Sequence, residues 1–171
     1  MFLSVTHQGS SPYSVILFFA AIVGIVQLFS FFMSRKSKWQ EYALHYAAKN
    51  RPEGKAHKVR WASFGKRGNR CKYSYQRCVC VIFTEQGVYF SVGFILGVFH
   101  KPFLIPWTKV RHIERYDGPF YQKYMLMIEE DADEIYLEMI NKGVDDLKRF
   151  CNKPITAGVP RMELFPQDRP Y

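Results

Sequence analysis

Apolar and polar residues follow three different rhythms along the chain. The first is a block without alternation, YSVILFFAAIVGIVQLFSFFM, Tyr13 to Met33, in which 21 residues carry no charge. A helix of that length covers about 30 Å, the thickness of a bilayer's hydrocarbon core. The second rhythm has a period near 3.6. Trp39, Tyr42, Ala43, Tyr46 and Ala47 fall at i, i+3, i+4, i+7 and i+8, the mark of an amphipathic helix. Pro52 and Gly54 stop it. From Lys58 the rhythm becomes short extended runs between turn residues: KVRWASFG, CKYSYQRCVCVIF, VYFSV, FLIPW, KVRHIERY, YMLMIEE and EIYLEMI. Helical spacing returns in GVDDLKRFC at Val144, Leu147 and Cys151, with Asp145 and Asp146 expected in the first turn and Lys148 and Arg149 later.

These rhythms divide the chain into a short N-terminus (1–12), a transmembrane helix (13–33), a juxtamembrane amphipathic helix (35–52), a mainly-β domain (55–152) and an irregular tail (153–171). About seven strands followed by one helix predict a small curved sandwich or partial barrel with the helix closing an open end. The aromatic stripe of the second helix is expected to pack on that domain. Within KPFLIPWTKV two prolines exclude a helix, so FLIPW is read as a short strand entering a corner. Leu104 and Trp107 are expected to bury, with Pro106 limiting further pairing at the edge. A hydrophobic strand edge that docks a partner is the alternative.

Charge adds orientation. The 171 residues hold 24 Lys+Arg against 15 Asp+Glu, a net charge of +9, which suits an anionic partner. No Lys or Arg precedes the apolar block, whereas Arg35, Lys36 and Lys38 follow it. The positive-inside rule then predicts the N-terminus outside and the domain in the cytoplasm. The block is too long for a cleaved leader and no small-residue cleavage pattern follows it. Arg35 to Arg77 holds thirteen bases and two acids, and Glu129 to Asp146 eight acids and one base, which predicts an electrically polar molecule. A 17% aromatic share argues against a disordered tail protein.

Candidate chemistry is sparse. Cys78 and Cys80 share a strand face and Cys71 takes the other, but no C-x-x-C pair suggests zinc, and no metal site is expected. His45, His57, His100 and His112 are isolated, and no H-E-x-x-H, G-x-S-x-G or Walker loop occurs. The acids of EEDADE lack EF-hand spacing and are read as a solvated hairpin turn. The chain is therefore read as a non-enzyme without a cofactor. The strongest binding candidate is the basic turn Lys66, Arg67 and Arg70, with Lys72, Lys58 and Arg60, which suits anionic lipid headgroups. Ala20, Gly24 and Gln27 share one face of the span and are candidates for self-association, by close helix approach and an amide bond. Nucleic acid is a poor partner for a domain held at a membrane without a reading helix. The expected partners are the bilayer, anionic lipid, a recruited protein or a second copy of the chain.

Seven strands and a closing helix resemble the pleckstrin-homology-like layout. GVYFSV…FHKPFLIPWTKV resembles uncharacterised bacterial single-span membrane proteins in which a GLYL strand precedes an HPPL-IPW segment. Here Gly87-Val88-Tyr89-Phe90 and His100 through Trp107 stand in those places. The sequence departs at Lys101 and Phe103, and Lys109 stands where an acid is often seen. The match covers roughly Trp39 to Phe150. It implies a pleckstrin-like domain on the cytoplasmic side of a bacterial inner membrane, and no catalytic activity; in that fold the turn after the first strand holds lipid headgroups. Fold layout alone does not fix function.

Overall fold

The computed structural model describes residues 12–66, 74–117, 122–128, 133–139 and 141–158. Helix α1, Pro12–Lys36, contains the predicted span and is long and apolar enough to cross a membrane. Its apolar side chains are largely exposed, and only Ser30 and Ser34, at its foot, are buried. Lys38 takes a left-handed backbone, φ 53°, which turns the chain sharply into α2, Trp39–His45. This second helix is shorter than its apolar stripe suggests. Trp39, Tyr42 and Ala43 are buried, but the chain leaves the helix at Tyr46 and Ala47 is exposed.

Ten strands among the described residues form two sheets. The smaller holds β1 (His57–Lys58), β4 (Val79–Phe83), β5 (Gly87–Val92) and β6 (Phe103–Pro106), in the order β1-β4-β5-β6. The larger holds β2 (Trp61–Lys66), β3 (Ser74–Gln76), β7 (Val110–Asp117), β8 (Gln122–Ile128), β9 (Asp133–Met139) and β10 (Ile155–Ala157), in the order β10-β7-β8-β9-β2-β3. A one-turn helix, α3 (Phe94–Gly97), follows β5, and α4 (Asn141–Phe150) follows β9. A mainly-β domain closed by a late helix is therefore the fold, as expected.

The strand count rises from seven to ten for local reasons. KVRWASFG splits at Arg60 into β1 and β2, and the cysteine-bearing run splits at Arg77 into β3 and β4. Arg77 has φ 54°, and its N–H bonds to the Arg60 carbonyl at 2.9 Å. Both segments thus change sheet at one shared corner, as strands do where two sheets meet at an angle. The tenth strand corrects the irregular tail: Ile155–Ala157 pairs in parallel with Ile113–Arg115.

The proline-bracketed segment is a strand, with Phe103, Ile105 and Trp107 buried. Leu104 faces the other way and is only half-buried, because side chains alternate along a strand. Its edge is already covered, since the Leu104 N–H bonds to the Tyr46 carbonyl at 2.9 Å. That contact removes the partner-docking edge. Helix α4 begins at Asn141, so Asp145 and Asp146 lie past its first turn. Asp146 instead meets His57 Nε2 at 2.6 Å, fastening the helix to β1 over buried Val144 and Leu147.

The core centres on Trp39, fully buried in the junction between α1 and the sheets. Its ring lies 4.9–5.3 Å from Phe64, Tyr75, His100 and Phe103. Aromatic rings at such spacing add edge-to-face attraction to area burial. The second helix is thus part of the domain core.

Candidate functional site

The foot of α1 is a polar junction built from residues far apart in sequence. Ser30, Ser34 and Ser37 stand at i, i+4 and i+7 and are all buried. Ser30 Oγ donates to the Leu96 carbonyl at 2.9 Å, and Ser34 Oγ to the Phe99 carbonyl at 2.6 Å. Ser37 Oγ bonds to the Tyr75 hydroxyl.

His100 joins these groups. Its Nδ1 lies 2.8 Å from the Leu96 carbonyl, which only accepts, so the proton sits on Nδ1. Ser30 Oγ stands 3.2 Å from the same nitrogen. Nε2 then accepts from Tyr75 Oη at 3.0 Å, and Tyr75 accepts from Ser37. The chain Ser37–Tyr75–His100–Leu96 is satisfied with a neutral imidazole. Burial pushes the His100 pKa below its ordinary value, against the opposing Leu96 bond. Burial likewise raises the Tyr75 pKa, against the Ser37 bond.

Beside this chain Lys38 Nζ donates to both oxygens of Asp133 at 2.8 Å, and Tyr42 Oη donates to the same carboxylate at 3.0 Å. Burial works to lower the Lys38 pKa, but the hydrogen bond and charge of Asp133 outweigh it and the pKa is raised. Tyr42 is pushed upward by burial first and then by the Asp133 charge. Asp133 is buried, which corrects the reading of EEDADE as wholly solvated; Glu134 is buried too, and Glu129 to Ala132 lie outside the described residues. The expected electrical polarity is also reduced. Strand β2 pairs with β9, and Arg60 meets Glu138 at 3.2 Å, so early bases and late acids face each other.

The basic-turn candidates do not form one described patch. Arg67, Arg70 and Lys72 lie outside the described residues, as does Cys71. Lys66 ends β2, with its Cα in register with Asp133. Arg60 stands six residues away along an extended chain, about 20 Å at the usual rise per residue. It is half-buried against Glu138, and Lys58 is exposed on β1 in the other sheet. Both stems of the turn nevertheless lead back to the residues that follow α1. Lys66 is opposite Asp133, which holds Lys38, and Tyr75 on the returning strand holds Ser37.

On α1, Ala20 and Gly24 are exposed, a Cβ at Gly24 would meet nothing within 4 Å, and Gln27 is half-buried one turn above Ser30. Cys78, Cys80 and Cys151 are free thiols and half-buried; burial raises the pKa of Cys78 and Cys151. Among the described residues no three His, Cys, Asp or Glu side chains gather into a group that fits a metal ion.

Reasoning from sequence missed Asp133, His100 and the serine row. The i, i+4, i+7 serine spacing at the end of an apolar helix was the available signal.

No family model and no curated protein matches the chain. Among solved structures it is similar to one titled "The pleckstrin homology (PH) domain of USP37". The identity is 10%, the TM-score 0.34, and the match covers 56% of this chain and 88% of that chain. Likeness at this level says nothing of what the chain binds, and nothing found points to the single-span bacterial proteins in particular.

Proposed function

We propose that the chain is a non-enzymatic, membrane-anchored binding module of a bacterial inner membrane. Helix α1 crosses the bilayer with its N-terminus outside, and the two-sheet domain faces the cytoplasm, where its basic turn contacts anionic lipid headgroups. One observation carries the reading: Tyr75, on one stem of the turn, bonds to Ser37, and Lys66, on the other, pairs in register with Asp133, the partner of Lys38. The turn therefore starts beside the membrane surface, where each Lys or Arg gains about 1 kcal/mol from an anionic leaflet. The buried attachment of Ser30, Ser34 and Trp39 supports a retained anchor over a removed leader. The non-enzymatic reading is supported by the groups at the junction. His100 is held neutral, Asp133 is matched by Lys38, and both tyrosines are harder to ionise than usual.

The test is native mass spectrometry of the full chain released from nanodiscs of mixed neutral and anionic lipid. Bound anionic lipid is expected on the parent. Replacing Lys66, Arg67 and Arg70 by Ala should weaken it by up to about 3 kcal/mol, roughly two orders of magnitude. Equal retention of neutral and anionic lipid by the parent removes the lipid reading and leaves recruitment of a protein as the use of the turn.

A second reading, a structural protein assembling through its span, is favoured by one feature. The Ala20 and Gly24 face is open on the monomer.

A further inference from the structure

We infer that the α3 segment, Gly93 to Phe99, is a second membrane contact, a short apolar wedge set into the cytoplasmic leaflet beside the span. The inference rests on α1 crossing the bilayer. Three observations carry it. The first is depth. Ser30 precedes Arg35, the first charge after the apolar block, by five residues, which places it about 7 Å further into the bilayer at the helical rise. Its hydroxyl bonds to the Leu96 carbonyl, and Ser34 bonds to the Phe99 carbonyl. Phe99 also meets Phe31 edge-on at 5.4 Å. The segment therefore lies against the last apolar turns of α1 and not below them.

The second observation is chemistry. Ser91 to Phe99, SVGFILGVF, carries no charge. Val98 is 64% exposed and Phe99 38%, and the Phe99 ring adjoins Phe31 of α1. Exposed Arg35, Lys36 and Lys101 flank it, the cations that sit at headgroup level beside an inserted apolar element.

The third is the backbone. Non-helical chain enters lipid only when its polar groups are satisfied inside the protein. Here the N–H groups of Leu96 and Gly97 bond to Gly93 O, and that of His100 to Gly97 O. Gly93 N–H bonds to Cys78 O. The carbonyls of Leu96 and Phe99 take the two serine hydroxyls, and Leu96 takes His100 Nδ1–H as well.

The experiment places a photoactivatable diazirine amino acid at Val98 in the full chain in native membranes, and separately at Leu17 and Glu85. Leu17 is exposed on α1, and Glu85 is exposed in the polar β4–β5 turn at the other end of β5. After illumination, mass spectrometry reads adducts. Lipid adducts are expected from Leu17 and Val98 and lost at Glu85. Lipid adducts at Leu17 with none at Val98, or equal labelling at Val98 and Glu85, overturn the wedge and leave the span intact. A protein adduct in place of lipid at Val98 also overturns it, by identifying a protein cover. Absence of lipid adducts at Leu17 itself overturns the spanning helix, and the wedge with it. All three sites are exposed, so a folding defect does not confound the comparison.

Discussion

Lys38 and Asp133 lie 95 residues apart, yet the ammonium of one meets both oxygens of the other at 2.8 Å. The pair fixes the angle at which the chain leaves α1, because Lys38 is the left-handed residue of the turn. Breaking a buried pair by deleting one partner costs about 3–5 kcal/mol when the survivor stays desolvated. In Lys38→Met the survivor is the buried Asp133, so we expect a loss within that range, toward its low end because Lys38 itself is partly solvated. Asp133→Asn still accepts from Tyr42 and leaves Lys38 able to reach solvent, so its loss should be about 1 kcal/mol. Thermal unfolding of the full chain in micelles measures both. Equal losses from the two variants count against the pair. The pH dependence has a definite sign. Lys38 holds its proton more tightly when folded. Its stabilisation is complete below the ordinary lysine pKa and is lost as pH rises through the raised value. Lys38→Met should lose Lys38's share of the alkaline decline, while Tyr42 and Tyr75, also raised on folding, keep the rest.

His100 predicts the opposite slope. Its pKa is lowered on folding from an ordinary 6.5. Above that ordinary value both states are neutral and the stabilisation is complete. As pH falls below it the unfolded chain takes up a proton that the folded chain refuses, and stability declines until the lowered value is reached. The groups around the ring, Ser30, Tyr75, Trp39 and the Leu96 carbonyl, offer no carboxylate to compensate. The unfolding midpoint should therefore drop in mild acid, and His100→Gln should flatten the drop. An unchanged acid profile in that variant places the titration at another group.

Much of the fold was legible because burial imposes a period. The uncharged block gave α1, short extended runs between turn residues gave the cores of β2, β4 and β7, and Val144 with Leu147 gave α4. Misreadings occurred where a local signal was absent. Arginine is an unexpected residue for a left-handed corner, so nothing in the run through Arg77 announced a change of sheet. β10 is three residues long and pairs in parallel with a distant strand, which leaves no alternation to read. The junction was harder still. His100 finds Tyr75 25 residues away and Ser30 70 residues away. No spacing rule joins them, and each looked isolated. Asp133 looked solvated because its neighbours are acids, whereas its cation is supplied by the far end of the chain.

Gly87 meets a constraint of the β5–β6 pair. A Cβ there would come within 2.1 Å of the Ile105 carbonyl oxygen and 2.8 Å of Pro106 Cα, both backbone atoms that cannot rotate away. The pairing Gly87↔Pro106 and Val88↔Ile105 must then open locally. We expect Gly87→Ala to destabilise by about 1–3 kcal/mol, the usual range for overpacking. A midpoint equal to the parent shows that β6 shifts freely. Hydrogen exchange should show the loss first at the amides of β5 and β6.

Orientation rests on the cations at the foot of α1. Arg35 and Lys36 are exposed, and Arg35 also sits over the Phe31 ring at 4.8 Å. Reporter fusions at both ends of the full chain should show the C-terminus in the cytoplasm. Activity of a C-terminal reporter confined to the outer side reverses the topology, and with it the leaflet expected to hold the basic turn.

The open face of α1 yields the last expectation. Ala20, Gly24 and Gln27 rise from the serine row, so a second copy packing there would sit directly above the junction. Gly24 allows close approach of helices, since among the described residues nothing lies within 4 Å of where its Cβ would be. Packing between small residues supplies association in lipid where the hydrophobic effect does not. Interhelical hydrogen bonds of the kind Gln27 can make contribute about 0.6 kcal/mol on average, up to about 1.7. We therefore expect Gly24→Leu to abolish cross-linked dimers in native membranes, and Gln27→Leu to weaken them several-fold. The contrast matters, because a merely sticky apolar helix would dimerise as well or better with an added leucine. Dimer yield that is unchanged in Gly24→Leu, or absent from the parent, leaves the assembly reading without support. The anchored binding module is unaffected by that outcome, since its lipid contact rests on the basic turn, and Ala20 and Gly24 are exposed on α1.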